Sequence, residues 1–294
     1  MVSKPKKLDD KFRLMFAPEY WTPLGKLKSF LGPPFENLED LEKSIQASVD
    51  RFRRFKTLCS LAARIQPSLI DDVNELDEQG FTPAARAQEF AALIETIICE
   101  LYSTLDALRY TVYWAYKDCR GVQKKSTSKL FSRAQNGSYG DGFPYQIQEA
   151  LSFAYSSWFL ELREFRTELT HGGTGSCRLD TESSRVSYMH RGLGNRSKAL
   201  VVEDIVEKVN SWALLVFGLM GEIGQYMYRQ LHPEEKLQFC GIYKGRFYTR
   251  KVMPEAEISR QSGVCDALRW FEDESGYRCP LAESCKAYER AIQL

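Results

Sequence analysis

The chain has 294 residues, with 40 basic and 39 acidic side chains and a formal net charge of +1. A composition of 44% hydrophobic and 27% charged residues excludes collagen-like, purely coiled-coil and wholly disordered chains. The near-neutral charge gives no general reason to expect nucleic-acid binding, so any such site has to be a local patch. The longest apolar run, Ala213–Gly221, is too short to span a membrane, and the first residues lack the apolar stretch of a secretory signal. We therefore expect a cytoplasmic protein with no membrane partner.

Four long helices are predicted, because apolar residues recur at steps of three and four along the chain. They cover about 36–67, 83–117, 144–170 and 202–231. Residues 1–35 are rich in Lys, Pro and aromatic side chains and are expected to drape over a domain as an arm. The polar, Gly-rich interval 124–143 is expected to be a flexible loop, and 174–200 a linker with a surplus of basic side chains.

This succession of amphipathic helices predicts an all-α fold, an up-and-down helical bundle of about four long helices with a mixed C-terminal extension. Three parts are expected: an N-terminal arm (1–35), the helical bundle (36–233) and the extension (234–294). The extension is expected to combine a short hairpin over Phe239–Val252 with helical pieces.

The eight cysteines are expected to be reduced thiols, since no export signal points to an oxidising compartment. Cys59, Cys99 and Cys119 fall in apolar helical stretches and are typical of small core residues. Four others near the C-terminus raise the alternative of a zinc site. They are Cys240, Cys265, Cys279 and Cys285. Because no two of them form a Cys-x-x-Cys pair, we expect unpaired thiols, with no metal and no cofactor.

Motifs that carry chemistry are rare in this sequence. It lacks a P-loop, a dinucleotide-binding glycine motif, a His-Glu-x-x-His motif and a nucleophile elbow, and it has three histidines. The feature that stands out is Arg166, which precedes His171 by five positions at the end of the third predicted helix and is followed there by glycine. Arg185 and His190 have the same spacing, but they lie in a stretch without helical periodicity, and His190 and His232 are expected to be structural.

The segment with Arg166 and His171 resembles the HEPN family (higher eukaryotes and prokaryotes nucleotide-binding). The motif of that family is an Arg, four to six residues and then a His, commonly followed by a small residue. A second stretch, Glu100–Leu108, looks like the helix that packs beside the motif helix in several members, with an acidic or polar residue near the pocket. Together with the order of helices, the resemblance covers about residues 84–231.

The resemblance implies a metal-independent endoribonuclease that cleaves single-stranded RNA, often in toxin or antiphage systems. Two protomers of such a protein pair their motif helices to form one cleft, so a homodimer is expected. RNA or a nucleotide is the expected ligand, no cofactor is needed, and an antitoxin or sensor protein is a further candidate partner.

The chemistry of RNA cleavage suits these residues. Attack by the RNA's own 2′-hydroxyl needs a group that titrates near neutrality, which His171 provides. It also needs a fixed cation for the phosphorane charge, which Arg166 provides. Asp106 on the preceding helix is predicted as an accessory residue of the cleft. On a regular helix five residues subtend about 500°, so Arg166 and His171 lie roughly 140° apart, and the site needs either an unwound helix end or a second chain.

Three further residues near the motif are predicted to bind RNA. They are Arg163, Thr167 and Thr170. Arg163 lies one turn before the motif arginine and would widen a phosphate-binding strip. Thr167 departs from the family pattern, because many catalytic members carry Asn or another hydrogen-bonding residue directly after the Arg.

Each candidate also has a structural explanation. A histidine at a helix C-terminus offsets the helix dipole, and Glu168 could pair with His171. Arg166 could lie along the protein surface, and Asp106 could belong to a solvated helix face. The alternative function is a non-catalytic helical module that binds a nucleotide, RNA or protein on the same dimer scaffold, which Thr167 and the neutral overall charge favour.

Overall fold

The structure is a computed structural model that describes residues 13–14, 23–195, 198–231, 235–252, 263–271 and 277–294. Its α-helices are α1 (Pro23–Ser29), α2 (Leu38–Ile65), α3 (Leu69–Gln79), α4 (Ala85–Tyr116), α5 (Thr127–Gln135), α6 (Tyr145–Ala154), α7 (Leu160–His171), α8 (Ile205–Arg229), α9 (Leu268–Phe271) and α10 (Lys286–Ile292). Its strands are β1 (Arg13–Leu14), β2 (Ser176–Leu179), β3 (Val186–Asn195), β4 (Lys198–Val202), β5 (Lys236–Tyr243), β6 (Arg246–Val252) and β7 (Val264–Cys265).

The four long helices predicted from the apolar periodicity are confirmed as α2, α4, the pair α6–α7 and α8. Helix α4 is central, since it packs against α2, α3, α5, α7 and β2. It is buried over much of its circumference, from Phe90 near its start to Val112 near its end. Such a helix forms a rigid support for any side chain that it directs towards its neighbours.

A π-helical segment, Tyr155–Phe159, joins α6 to α7 without a break in the helix. The wider turn of a π-helix allows the consecutive residues Trp158 and Phe159 both to face the interior, where both are buried. The Phe159 ring stacks on Phe131 of α5 with 3.9 Å between the ring centroids. This contact fixes the start of α7, which then runs as a regular helix to His171.

The predicted all-α fold is wrong, because the chain also forms two antiparallel sheets. The first has the order β2-β3-β4 and occupies most of the interval predicted to be a basic linker. Its alternate residues Val186, Tyr188 and His190 are buried, the two-residue period of a strand with one face on a core. Gly and Arg residues interrupt these strands, so the alternation of apolar and polar residues in the sequence is weak. Their burial depends on packing against α4 and α7.

The predicted flexible loop over 124–143 is also wrong in part, because it contains α5. The Ser126 side chain caps this helix by accepting a hydrogen bond from the backbone N–H of Lys129. Leu130, Phe131 and Ala134 form its buried face. Three apolar positions in nine residues are too few to stand out against the surrounding glycines and polar side chains.

The second sheet has the order β1-β5-β6-β7, in which β1 from near the N-terminus pairs with the strands of the C-terminal part. The predicted hairpin is confirmed as β5 and β6, joined at Lys244 and Gly245, which both have positive φ (48° and 77°). A turn with two positive φ angles suits the right-handed twist of a two-residue hairpin. The register shifts between Phe239 and Gly241, which places Cys240 at a β-bulge.

Contacts divide the chain into two units. One is Phe35–Met227, and the other combines the described parts of Met1–Pro34 and Tyr228–Leu294. Most of the predicted N-terminal arm and His232 lie outside the described residues. None of the described helices is long and apolar enough to cross a membrane.

Candidate functional site

The side chain of Arg166 lies against α4. Its guanidinium carbon is 5.3 Å from the centroid of the Tyr102 ring, within the range of a cation–π contact. Arg166 is half-buried and Tyr102 is buried. Arg166 therefore points into the groove between α7 and α4 and does not lie along the outer surface of its own helix.

Asp106 lies one turn after Tyr102 on α4 and is held by a chain of hydrogen bonds. The Thr127 hydroxyl, at the start of α5, donates to an Asp106 carboxylate oxygen. The same hydroxyl oxygen accepts a hydrogen bond from Arg109 Nε at 3.0 Å. Asp106 is thus a partly buried carboxylate with a fixed orientation, and the explanation that it belongs to a solvated helix face does not fit.

Three guanidinium groups surround this position and form what we call the arginine cluster, Arg109, Arg163 and Arg166. Nη1 of Arg163 donates to the Ser128 hydroxyl at 2.8 Å. Arg109 is only 6% exposed, and its Nη1 is buried with no hydrogen-bond partner in the described part of the chain. A buried N–H group without a partner is uncommon and marks a position where an anion or a water would bind.

The charges of this cluster act on Tyr102. Burial raises the pKa of the Tyr102 phenol above its ordinary value, and Asp106 adds to the increase. The guanidinium groups of Arg166, Arg163 and Arg109 oppose it. Three cations and one carboxylate therefore lie within electrostatic reach of one ring, and the local excess of positive charge favours an anionic ligand such as phosphate.

His171 is the last residue of α7, and its side chain is exposed. The helix is regular up to this residue and ends at Gly172, so its end does not unwind to bring His171 back towards Arg166. No hydrogen bond or ion pair engages the His171 side chain within the described ranges. One chain therefore brings Arg166 together with Asp106 and Arg163, and it does not bring His171 to them.

The predicted pairing of Glu168 with His171 is absent among the described residues, because Glu168 is directed elsewhere. A Cβ atom placed on Gly192 of β3 would lie 1.7 Å from Glu168 Oε1, and one placed on Gly172 would lie 2.0 Å from it. The Glu168 carboxylate therefore fills the space between the end of α7 and β3. Both glycines leave room for it.

The two threonines of the motif helix differ in their surroundings. The Thr170 hydroxyl bonds back to its own helix, 2.8 Å from the carbonyl oxygen of Arg166 and 3.1 Å from that of Thr167. Thr167 is exposed. Of the three predicted RNA-binding residues, only Arg163 belongs to the arginine cluster.

Glu100, the acidic residue of the second stretch that resembles the family, faces away from the cluster. It is 5% exposed, and its carboxylate lies 3.3 Å from Arg51 and 3.5 Å from Arg54 of α2. It therefore ties α2 to α4. Asp106 is the carboxylate that acts, together with the motif arginine, on Tyr102.

His190 is structural in this fold, as predicted. It is buried, its Nδ1 accepts a hydrogen bond from the Gly192 backbone N–H at 3.1 Å, and its Nε2 lies 2.8 Å from the Gly173 carbonyl oxygen. With Nδ1 as acceptor, the proton lies on Nε2 and is donated to Gly173. The ring holds the segment that follows the motif helix against β3.

Aromatic side chains of α4 with basic neighbours continue from the cluster, and the basic residues Arg109 and Lys124 were not predicted from the sequence. Nζ of Lys124 is 4.9 Å from the Trp114 ring centroid and 5.8 Å from that of Tyr110. The Arg109 guanidinium carbon lies 4.2 Å from the Tyr110 centroid. Arg109 could have been identified in the sequence, because it is a charged residue within the otherwise apolar stripe of a predicted helix. Nothing local in the sequence indicates Thr127 or Ser128, which reach the site through the fold.

Comparisons with known proteins found no match. No protein-family model matches the chain, and neither a curated protein nor a solved structure is similar to it.

Proposed function

We propose that this chain is a HEPN-type, metal-independent endoribonuclease that cleaves single-stranded RNA as a homodimer. The observation that carries the proposal is the position of Arg166. This residue lies on the helix that ends at His171, and its guanidinium stacks on Tyr102 of α4, one turn before Asp106. An RNA substrate is compatible with a cytoplasmic location. A toxin or antiphage setting, regulated by an antitoxin or a sensor protein, is part of the same proposal.

The arginine cluster would hold the RNA backbone. Its guanidinium groups outnumber its one carboxylate, Asp106, so the scissile phosphate is attracted and its transition-state charge is stabilised. Tyr110 is 36% exposed beside Lys124 and would give a base an aromatic side chain to contact, as in sequence-tolerant binding of single strands. Arg163, fixed by Ser128, would position the adjoining phosphate.

The proton transfers are assigned to His171. The imidazole removes the proton of the 2′-hydroxyl as its oxygen attacks phosphorus, and the 5′-oxygen leaves with a proton returned by an imidazolium. The products are a 2′,3′-cyclic phosphate and a 5′-hydroxyl. Because His171 and Arg166 point in directions roughly 140° apart on a regular helix, the His171 that serves one phosphate belongs to the second protomer.

Two exposed apolar side chains near the start of the motif helix suit such a dimer. Phe153, on α6, is 65% exposed, and Leu160, the first residue of α7, is 38% exposed. Large exposed apolar groups that lie near one another are typical of an interaction surface. A second protomer packed at this end of α7 would cover them.

The proposal is tested by incubating a mixed-sequence single-stranded RNA with the wild-type protein in EDTA. We expect cleavage with 2′,3′-cyclic phosphate ends, and a rate at least about a hundredfold lower in His171→Ala and in Arg166→Ala. Arg185→Ala is the matched control, because it belongs to the other Arg-His pair of equal spacing and is exposed. Equal rates in His171→Ala and the wild type would contradict the assignment.

The second candidate is the non-catalytic binding module. It is favoured by the fact that Arg163 and Arg166 already have partners, Ser128 and Tyr102, and by Thr167 next to the motif arginine. Under this function the folded wild-type protein would bind RNA without cutting it. The affinity for RNA would fall as the salt concentration rises. In a plot of log affinity against log salt concentration, Arg163→Ala would reduce the slope by about one, because one phosphate contact is lost.

A further inference from the structure

Four cysteines that are far apart in the sequence come together in the C-terminal unit. Cys240 lies at the β-bulge of β5, and Cys265 on β7 is paired directly with Arg250 of β6. Cys279 lies in the turn before a short 3₁₀ helix, and Cys285 directly precedes α10. A bulge redirects a side chain out of the regular strand pattern. Each of the four thiols is therefore placed at an irregular point of the backbone or at the end of an element.

Contacts with shared neighbours show how close these cysteines are. Arg250 Nε donates to the Cys240 sulfur at 3.0 Å, and Nη2 of the same side chain lies 3.9 Å from the Cys285 sulfur. Cys265 and Cys279 line one small cavity together with Tyr248. Two pairs of thiols, each with a common neighbour, thus lie around the edge formed by β6 and β7.

The two pairs adjoin at Arg250. Its side chain contacts the sulfurs of Cys240 and Cys285, and Arg250 is the direct strand partner of Cys265. Cys265 in turn shares the small cavity with Cys279, so the four cysteines form one group in the fold.

We propose that Cys240, Cys265, Cys279 and Cys285 bind one Zn²⁺ ion as a structural Cys₄ site. Four thiolates and no open position are typical of structural zinc. The ion would join β5, β7, the turn at Cys279 and the start of α10, in a unit with short helices and strands where a metal compensates for a small core. Binding involves no redox change, since each thiol loses its proton to the solvent as its sulfur bonds to the metal.

Zinc binding requires a local rearrangement. In the described residues, no group of three or more His, Cys, Asp or Glu side chains is gathered closely enough to hold a metal ion. The Arg250 guanidinium contacts two of the four sulfurs. It has to withdraw from Cys240 and Cys285 so that all four sulfurs approach to about 2.3 Å from the metal.

The test uses the full chain, reduced and exposed to Zn²⁺ or Co²⁺. We expect one Zn²⁺ per chain after weakly bound metal is removed, and in the Co²⁺ form the charge-transfer and visible bands of a tetrahedral thiolate site. Cys265→Ser and Cys285→Ser should each weaken Zn²⁺ binding by at least about tenfold. The control is Cys59→Ser, since Cys59 lies on α2 of the other unit.

A second readout uses only the wild type and so does not depend on variants that fold. Zn²⁺ should protect four of the eight cysteines from a thiol reagent, and a chelator should expose them again. A wild-type chain that retains no Zn²⁺ would overturn the proposal. So would protection that is independent of zinc and removed by a reductant, because that result would indicate disulfides.

Discussion

Arg166 is oriented by a ring on another helix. The Tyr102 face accepts its guanidinium at 5.3 Å, while Asp106, one turn further along α4, supplies the nearby negative charge. A free arginine would explore many rotamers in water, and the contact with Tyr102 reduces that freedom before a substrate arrives. Arg166 was predicted as a catalytic residue and Asp106 as an accessory, and in the fold both lie within reach of Tyr102.

The Thr127 hydroxyl holds two charged side chains of the site, Asp106 and Arg109. It donates to Asp106 and accepts from Arg109, and Thr127 and Arg109 are buried. Thr127→Val keeps the shape but leaves both partners without this bond. We expect the free energy of unfolding to fall by about 1–3 kcal/mol.

Chemical denaturation followed by circular dichroism measures this change. Thr167→Val is the matched control, because the Thr167 side chain is exposed, and it should change the free energy of unfolding by less than about 0.5 kcal/mol. An equal loss in both variants would show that the Thr127 bonds do not stabilise the site.

The partners of the predicted site residues could not be derived from the sequence. Arg109 and Asp106 are three residues apart on one helix, so their proximity is local. Thr127 and Ser128 reach them from α5, a helix whose pattern is obscured by the glycines around it. These contacts depend on how α5 packs against α4 and the π-helical segment. This tertiary packing cannot be inferred from the spacing of residues in the sequence.

At the scale of elements, the motif helix is held at its end by the first sheet. Glu95 of α4 accepts a hydrogen bond from the Gly175 backbone N–H at 2.6 Å and another from the Tyr188 hydroxyl at 2.8 Å. These bonds fix the segment after His171 against α4 and β3. The position of His171 thus depends on strands that the all-α prediction did not include.

Gly175 leaves room for the Tyr188 ring. A Cβ atom on Gly175 would lie 2.4 Å from the hydroxyl oxygen and from the adjoining ring carbon, and the buried ring cannot move away easily. We expect Gly175→Ala to lower the free energy of unfolding by about 1–3 kcal/mol.

Gly173→Ala provides the control in the same segment, because nothing lies within 4 Å of its added Cβ. Thermal unfolding of the two variants compares them directly. If Gly175→Ala is as stable as Gly173→Ala, the sheet does not restrain the end of α7 in this way.

The long helices were predictable because each has many apolar residues at one period. The strands β2–β4 had a weaker signal. Only alternate residues such as Val186 and Tyr188 mark their buried face, and a few alternations do not separate a strand from a linker. The confirmed hairpin of β5 and β6 had a clearer signal in the Lys244–Gly245 turn.

At the scale of the whole molecule, the two proposals concern different units. The arginine cluster and His171 belong to the unit Phe35–Met227, whereas the four clustered cysteines belong to the C-terminal part of the other unit. The cleavage and zinc proposals therefore rest on different residues and can fail separately. The sequence indicated Arg163, Arg166 and His171, but the place of Arg109 and the grouping of the cysteines required the fold.

In the proposed enzyme, the Arg166 of one protomer acts with the His171 of the other. The most direct measurement mixes the inactive variants Arg166→Ala and His171→Ala under conditions that exchange subunits, and then follows RNA cleavage in EDTA. In a heterodimer one of the two sites has both residues intact. With random exchange, half of the dimers are heterodimers, so about a quarter of the wild-type activity should return.

Copurification of differently tagged chains verifies that heterodimers have formed. Recovery of activity on mixing is the result that this account predicts. A mixture that stays as inactive as either variant alone, although heterodimers are present, would contradict a site shared between two protomers.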